Sequence, residues 1–232
     1  MGLNVLVACE ESQRVTQALR DNGIEAYSCD IIPTSGEHPE WHILYDVTQV
    51  LNGDCVCPME KGENLFKIGE WDAIIAFPPC TYLTVTGNKW FKEEYKSRFP
   101  TREQDRKNAI EFFLTIANAH CEHIAIENPV GIMSSVWRKP DQYIEPYYFG
   151  ENARKKTCLW LKNFPALVPT NIVNPDIYVT KSGKTLAQWD MDTMHLTGEE
   201  RAKERSKTFP GVAEAMGKQW GDYLKRDVVL WD

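Results

Sequence analysis

The sequence lacks the features of a membrane or secreted protein. Its 232 residues contain no apolar run close to the roughly 20 residues that span a bilayer, and its first residues show no basic flank or cleavage site of an export signal. It has seven cysteines, an odd number scattered along the chain, which is not the pattern of a disulfide framework. Cys55 and Cys57, taken with residues 120–123, match no common zinc spacing, so no metal site is predicted. We expect a reduced, cytoplasmic protein with no membrane partner.

An excess of positive charge is also missing. The chain has 26 Lys and Arg against 33 Asp and Glu, a formal net charge of −7, which argues against a surface that binds nucleic acid over its whole area. A local basic cleft is still compatible with that charge. Residues 88–107 combine basic and aromatic side chains, which suits contact with phosphates and bases and suits a solvated surface equally well.

Short apolar runs alternate with helix-like segments along much of the chain. The pattern predicts helices at residues 13–20 and 101–119, an irregular insertion at 55–69, and strands at 4–9, 24–30, 43–46, 73–77, 124–126 and 157–161. Such alternation is typical of an α/β fold, here Rossmann-like, with a mostly parallel sheet and helices on both faces. Because parallel strands end at one edge, where ligands bind, we expect five polar residues to gather there: Glu10, Asp30, Asp46, Cys80 and Glu127.

The first turn of this predicted fold contains no glycine. Residues 8–12 read Ala-Cys-Glu-Glu-Ser, where a dinucleotide-binding protein has Gly-x-Gly-x-x-Gly. A pyrophosphate would meet side chains and two acids at this turn. A cofactor that lacks phosphates and carries a positive centre, such as S-adenosylmethionine, would not.

Three motifs carry candidate chemistry. The Pro-Pro-Cys motif that ends at Cys80 offers a thiol nucleophile after a buried strand, or only a half-buried side chain beside a rigid turn. The Glu-Asn-Pro motif that begins at Glu127 offers a carboxyl group whose pKa burial would raise, or only an acid that caps a turn. The Arg-Lys-Lys triplet that begins at Arg154 is either an anion-binding group or a solvated loop.

The order of these motifs resembles that of the cytosine-C5 DNA methyltransferases. That family has Pro-Cys, Glu-Asn-Val and Gln-x-Arg-x-Arg in this order, and residues 152–156 of this chain read Asn-Ala-Arg-Lys-Lys. Residues 196–210 resemble the family's Leu-Thr-Pro-x-Glu … Gly-Phe-Pro stretch, and Gln-Trp-Gly-Asp at 219–222 is similar to its closing Gln-x-Gly-Asn. The resemblance implies a Rossmann-like, S-adenosylmethionine-dependent enzyme that methylates C5 of cytosine in DNA through a covalent adduct.

The resemblance also implies a role for individual residues. Cys80 would be the nucleophile, Glu127 would donate a proton to N3, and Arg154 would orient the O2 carbonyl. Asp30 would bind the ribose hydroxyls of the cofactor and Asp46 its adenine amino group. Further cofactor contacts are implied for Ala8, Cys9, Glu10, Ile31, Val47, Pro78, Gly221 and Asp222. Further substrate contacts are implied for Pro79, Lys89, Asn128 and Lys156.

The domain organisation follows from the same comparison. We expect a catalytic core at residues 1–162, a short loop-rich insertion at 163–195 where the family has a larger target-recognition domain, and a C-terminal helical segment at 196–232 that returns to the cofactor pocket. The short insertion leaves three hypotheses open. The substrate is DNA, or it is a free cytosine nucleotide or short single strand, or the chain is a non-catalytic cofactor-binding subunit. A partner subunit could supply target recognition.

Overall fold

The computed structural model describes residues 2–62, 65–180, 182–183 and 185–229. Its strands are β1 Asn4–Ala8, β2 Glu25–Asp30, β3 His42–Leu44, β4 Cys55–Pro58, β5 Leu65–Ile68, β6 Ala73–Ala76, β7 His123–Pro129, β8 Gln142–Ile144, β9 Thr157–Lys162, β10 Ile177–Val179 and β11 Thr185–Ala187. Its helices are α1 Arg14–Asp21, α2 Arg102–Ala117, α3 Met133–Val136, α4 Gln188–Asp192, α5 Gly198–Ser206, α6 Pro210–Ala215 and α7 Gly221–Val229, with a π-helical turn at Met216–Trp220 between the last two.

Seven strands form one central sheet in the order β3-β2-β1-β6-β7-β9-β8. The first five in this order are mutually parallel, while β9 runs antiparallel to both β7 and β8. The predicted α/β fold with a mostly parallel sheet is therefore confirmed, and it is compatible with a Rossmann-like fold. The chain moves outward from β1 to β3 and then returns to the other side of β1, and such a switch point opens a crevice at the strand ends.

Helices cover both faces of the sheet, as the sequence predicts. On one face, Phe113 and Ile116 of α2 pack against strand residues that include Ile126 and Trp160. On the other face, α1, α6 and the π-helical turn pack against Val5, Ile75 and Leu159. Because both faces are buried, the central strands are continuous apolar runs rather than alternating ones.

Three strand segments differ from the sequence prediction. Residues 55–69, predicted to be irregular, contain the antiparallel hairpin β4–β5. Strand β8 and the small hairpin β10–β11 were not predicted at all. Each is only three or four residues long, too short to show a period of two, and each forms through pairing with a neighbour.

The seven-stranded sheet lies within the first 162 residues, and the hairpin β10–β11 and α4 lie within residues 163–195. The domain boundaries themselves stay a prediction. Among the described residues, no helix has the length and apolarity needed to cross a membrane. The seven cysteines, all in the described part of the chain, are free thiols.

Candidate active site

The carboxyl ends of β1, β2, β3, β6 and β7 meet at one edge of the sheet because these strands are parallel. The five polar residues that follow or close the strands are therefore gathered along this edge, as expected. Four of them fall into two groups. Cys80 and Glu127 lie after β6 and within β7, and Asp30 and Asp46 lie near Cys9 at the ends of β1, β2 and β3.

The loop that carries Cys80 is held from both sides. The Cys80 carbonyl accepts hydrogen bonds from the backbone N–H groups of Leu83 and Thr84, each at 3.0 Å, which close a turn after the thiol. Asn128 Nδ2 donates to the Pro78 carbonyl at 2.7 Å from a side chain that is 1% exposed. The Asn128 side chain is buried under the loop and holds it in position, and the predicted contact of Asn128 with substrate stays a prediction. Pro79 is exposed beside the thiol, where a substrate contact stays a prediction.

Glu127 is a carboxyl group in a poorly solvated place. Loss of solvent raises its pKa, and the Lys155 ammonium and a hydrogen bond from the Thr157 hydroxyl oppose that rise only in part. All three residues line a cavity of about 20 Å³, which has room for about one water molecule. Since burial favours the neutral form, Glu127 is suited to donate a proton.

Cys80 belongs to the same electrostatic group. Burial raises the pKa of its thiol, the Glu127 carboxylate raises it further, and the Lys155 ammonium lowers it. Protonation of Glu127 therefore removes a charge that opposes formation of the Cys80 thiolate. A nucleophile, an acid and a cation are thus coupled at one point of the sheet edge.

Lys155 is the cation that acts on both Cys80 and Glu127, whereas the sequence prediction named Arg154, whose contact with substrate stays a prediction. Glu127 pairs in register with Leu159, and alternate residues of a strand point to the same face, so Thr157 stands on the face of Glu127. Lys155 continues this alternation, and its Nζ donates to the Arg205 carbonyl at 2.9 Å. Arg154 is exposed instead, with its guanidinium carbon 5.8 Å from the ring centre of Tyr147.

Lys156 is exposed as well and lies on the face opposite to Glu127. Its Nζ is 4.5 Å from the ring centre of Tyr143. Lys89 is also exposed and lies 4.5 Å from the ring of its neighbour Trp90. Contact of Lys89 or Lys156 with a substrate stays a prediction. Lys156 is not part of the group formed by Cys80, Glu127 and Lys155.

The second group suits an adenosine. Burial raises the pKa of the Cys9 thiol, and Asp30 and Asp46 add to this shift, so both carboxylates lie around Cys9. Ile31, directly after Asp30, is 74% exposed and offers an apolar side chain next to them. Burial and repulsion from Glu11 raise the pKa of Asp30. The carboxylates can accept hydrogen bonds from the hydroxyl and amino groups of a nucleoside, and Ile31 can pack against its ring. Because the surroundings are acidic, the group fits a cationic nucleoside better than a phosphate.

Three predicted cofactor residues point their side chains elsewhere. Ala8 and Val47 are buried in the core. The Glu10 carboxylate caps α1, where it accepts hydrogen bonds from the Val15 N–H at 2.7 Å and from the Thr16 N–H and hydroxyl at 3.2 and 2.7 Å. These three residues could therefore contact a cofactor only through their backbone atoms. The carbonyl of Pro78 is already bound by Asn128, and its cofactor contact stays a prediction.

The prediction that Gly221 and Asp222 belong to the cofactor pocket is wrong. A Cβ added to Gly221 would lie 3.4 Å from Ile24, which precedes β2, whereas Asp30 closes β2. At about 3.3 Å per residue, the two ends of β2 are roughly 17 Å apart. α6 and the π-helical turn carry the chain to the far edge before Gly221 is reached, and Asp222 there pairs with Lys218 at 3.1 Å.

The segment after Cys80 is ordered by its own side chains. Trp90 packs edge-on against Tyr95 and Phe99, with ring centres 4.9 and 5.5 Å apart. Arg106 stacks on the Phe91 ring at 3.4 Å, and its Nε donates to the Tyr82 carbonyl at 2.9 Å. The aromatic and basic side chains of residues 88–107 therefore serve in part to hold this segment together.

No protein-family model matches the chain, and no curated protein does. Among the described residues, no group of three or more His, Cys, Asp or Glu side chains is placed to hold a metal ion. The geometry at the sheet edge is what bears on function.

Proposed function

We propose that the chain is an S-adenosylmethionine-dependent methyltransferase that acts on C5 of cytosine, in DNA or in a shorter cytosine substrate. The observation that carries this proposal is the position of Cys80, Glu127 and Lys155 at the carboxyl edge of the sheet, where Cys80 follows β6, Glu127 lies in the neighbouring β7, and Lys155 lines a cavity with Glu127. A thiol, a carboxyl group whose pKa is raised by burial and a cation are the groups that activation of a cytosine ring requires.

The chemistry begins at C6, because C5 of cytosine is not nucleophilic enough to accept a methyl group unaided. The Cys80 thiolate forms a bond to C6, and the electron pair of the C5–C6 double bond makes C5 the nucleophile of an enamine. Glu127 donates its proton to N3, where negative charge would otherwise collect, and Lys155 donates to the O2 carbonyl. Once C5 carries its methyl group, a water molecule accepts the C5 proton, the C5–C6 double bond is restored and the bond between C6 and the Cys80 sulfur breaks, with its electron pair returning to sulfur. The proton on N3 returns to the Glu127 carboxylate.

S-adenosylmethionine, when bound, supplies the methyl group. Asp30, Ile31 and Asp46, grouped around Cys9, are the residues that would hold its adenosine half. The acidic character of this group favours a positive centre and disfavours a phosphate, which supports the choice of cofactor.

A substrate with fluorine in place of hydrogen at C5 tests the proposal, because the final elimination needs a proton at that carbon. With S-adenosylmethionine present, an oligonucleotide that contains 5-fluorocytosine should stay covalently attached to the protein under denaturing conditions, and Cys80→Ser should abolish the adduct. Transfer of a radiolabelled methyl group to duplex DNA, single-stranded DNA and cytosine nucleotides identifies the substrate. Absence of both adduct and label with all three would overturn the proposal, and calorimetry would then show whether the chain binds the cofactor at all.

A further inference from the structure

Two tyrosines beside the active site each carry a cation over the ring. Tyr143 of the edge strand β8 is 44% exposed, and Lys156 Nζ lies 4.5 Å from its ring centre. Tyr147, which follows β8 in the chain, has the Arg154 guanidinium carbon 5.8 Å from its ring centre. Arg154 and Lys156 are the two members of the basic triplet that point away from Glu127, so the chemistry of the Cys80 group leaves them without a role.

The strand register places these pairs next to the catalytic edge. Tyr143 pairs with Cys158, and Cys158 pairs with Asn128, whose side chain holds the Cys80 loop. Two strand spacings separate the Tyr143 backbone from that of Asn128, about 10 Å. Directly paired residues share a face, so Tyr143 stands on the same face of the sheet as Asn128. Tyr147 lies beyond Ile144, the last residue of β8, and so at the same edge.

Charge at this surface favours an anion. Arg154 and Lys156 both act on the Glu145 carboxylate, which also accepts a hydrogen bond from the Lys155 N–H at 3.0 Å. Two exposed cations thus stand against one carboxylate that the backbone already engages. In a chain of net charge −7, this is a local positive surface at the edge of the active site.

We propose that Tyr143, Tyr147, Arg154 and Lys156 form a stacking surface for unpaired bases of single-stranded DNA that flank the target cytosine. Exposed aromatic rings with neighbouring cations bind bases through their π-faces and the backbone through its phosphates, with little dependence on sequence. Bases in a duplex are stacked on one another and do not offer those faces. Tyr143 is the exposed ring of the two, whereas Tyr147 is half-buried and packs edge-on against Tyr148, with ring centres 4.6 Å apart. This proposal rests on the proposed function in one respect, namely that the flanked base is a target cytosine.

Binding of a fluorescent oligothymidine, measured by anisotropy without cofactor, tests the surface independently of catalysis. Tyr143→Leu and Tyr147→Leu keep an apolar side chain and remove the ring, and each should weaken binding about fivefold or more, which corresponds to the low end of measured stacking contributions. Tyr143→Phe should bind like the unmodified chain. Tyr45→Leu is the matched control, because Tyr45 is also 44% exposed but follows β3 at the other side of the sheet. Thermal unfolding checks that each variant is folded.

The cations provide a second readout. Arg154→Ala and Lys156→Ala should each reduce the slope of log affinity against log salt by about 0.7, the value for one phosphate contact on a single strand. Unchanged affinity in the double variant Tyr143→Leu, Tyr147→Leu, or equal competition by a duplex of the same length, would overturn the surface. Failure of the proposed function looks different, because methyl transfer would then be absent from every substrate while the tyrosine variants still lost affinity for oligothymidine.

Discussion

If the proposed function holds, replacement of Lys155 by Met should remove most of the methyl transfer activity. Lys155 Nζ gives one hydrogen bond to the Arg205 carbonyl, so its remaining N–H groups are available to the reacting base. Loss of one preorganised donor at a site of developing negative charge lowers kcat by about 10²- to 10³-fold. Met keeps the length and apolar stem of the side chain, so the change removes charge and little packing.

For the same variant we also expect a shift of the pH–rate profile in a defined direction. Lys155 lowers the pKa of both Cys80 and Glu127, so its removal raises both pKa values. Transfer requires the Cys80 thiolate, whose fraction increases with pH, and protonated Glu127, whose fraction decreases with pH. Both limbs of the pH–rate profile should therefore move to higher pH in Lys155→Met.

The neighbouring residues of the triplet supply the controls. Arg154→Met and Lys156→Met remove exposed charges on the other face, so kcat at saturating oligonucleotide should change by no more than about fivefold. The assay is single-turnover transfer of a labelled methyl group across neutral and alkaline pH. A large loss of rate in Arg154→Met together with a normal rate and pH profile in Lys155→Met would refute the assignment and restore Arg154 as the residue that orients the base.

Three further predictions concern residues elsewhere in the site. Glu127→Gln cannot donate the proton to N3, so kcat should fall by about 10²- to 10⁴-fold while calorimetry shows unchanged cofactor affinity. Glu10→Ala leaves the first N–H groups of α1 without a cap and should reduce the free energy of unfolding by about 1–3 kcal/mol in urea titrations, where an unchanged midpoint would contradict the cap. Asp30→Asn should weaken S-adenosylmethionine binding and Asp222→Asn should not. If calorimetry showed the loss of affinity in Asp222→Asn and not in Asp30→Asn, the C-terminal motif would belong to the cofactor pocket after all.

Long apolar runs made much of the fold predictable. β1, β6 and β7 are buried on both faces, so each appears in the sequence as a short apolar run that is followed by a polar residue, and β2 differs only in the buried Ser28 within its run. Their parallel direction then brings those polar ends together without further information. Strand β8 could not be predicted in this way, since its three residues become a strand only by pairing with β9.

The position of the C-terminal motif was not predictable either. Residues 219–222 match a motif of the resembled family by letter, but their place depends on how far α6 and the π-helical turn carry the chain. Gly217 packs against the backbone of Ala18 in α1, which fixes this segment along the length of the sheet. The C-terminal part does reach the catalytic edge through Ser206, Thr208, Phe209 and Val212, which line the cavity beside Glu127.

The pairing register of β7 with β9 explains why the three residues of the basic triplet have different surroundings. The pairing of Glu127 with Leu159 assigns alternate residues of β9 and of the segment before it to opposite faces, and a shift by one residue would exchange them. In the observed register Lys155 lines the small cavity beside Glu127, and its ammonium donates to the Arg205 carbonyl. Arg154 and Lys156 are thereby left outside, over Tyr147 and Tyr143. A guanidinium suits stacking and phosphate contact better than an ammonium does, so Arg154 is better placed outside on the surface than inside the cavity. The same three residues can then serve the reacting base and the strand that carries it.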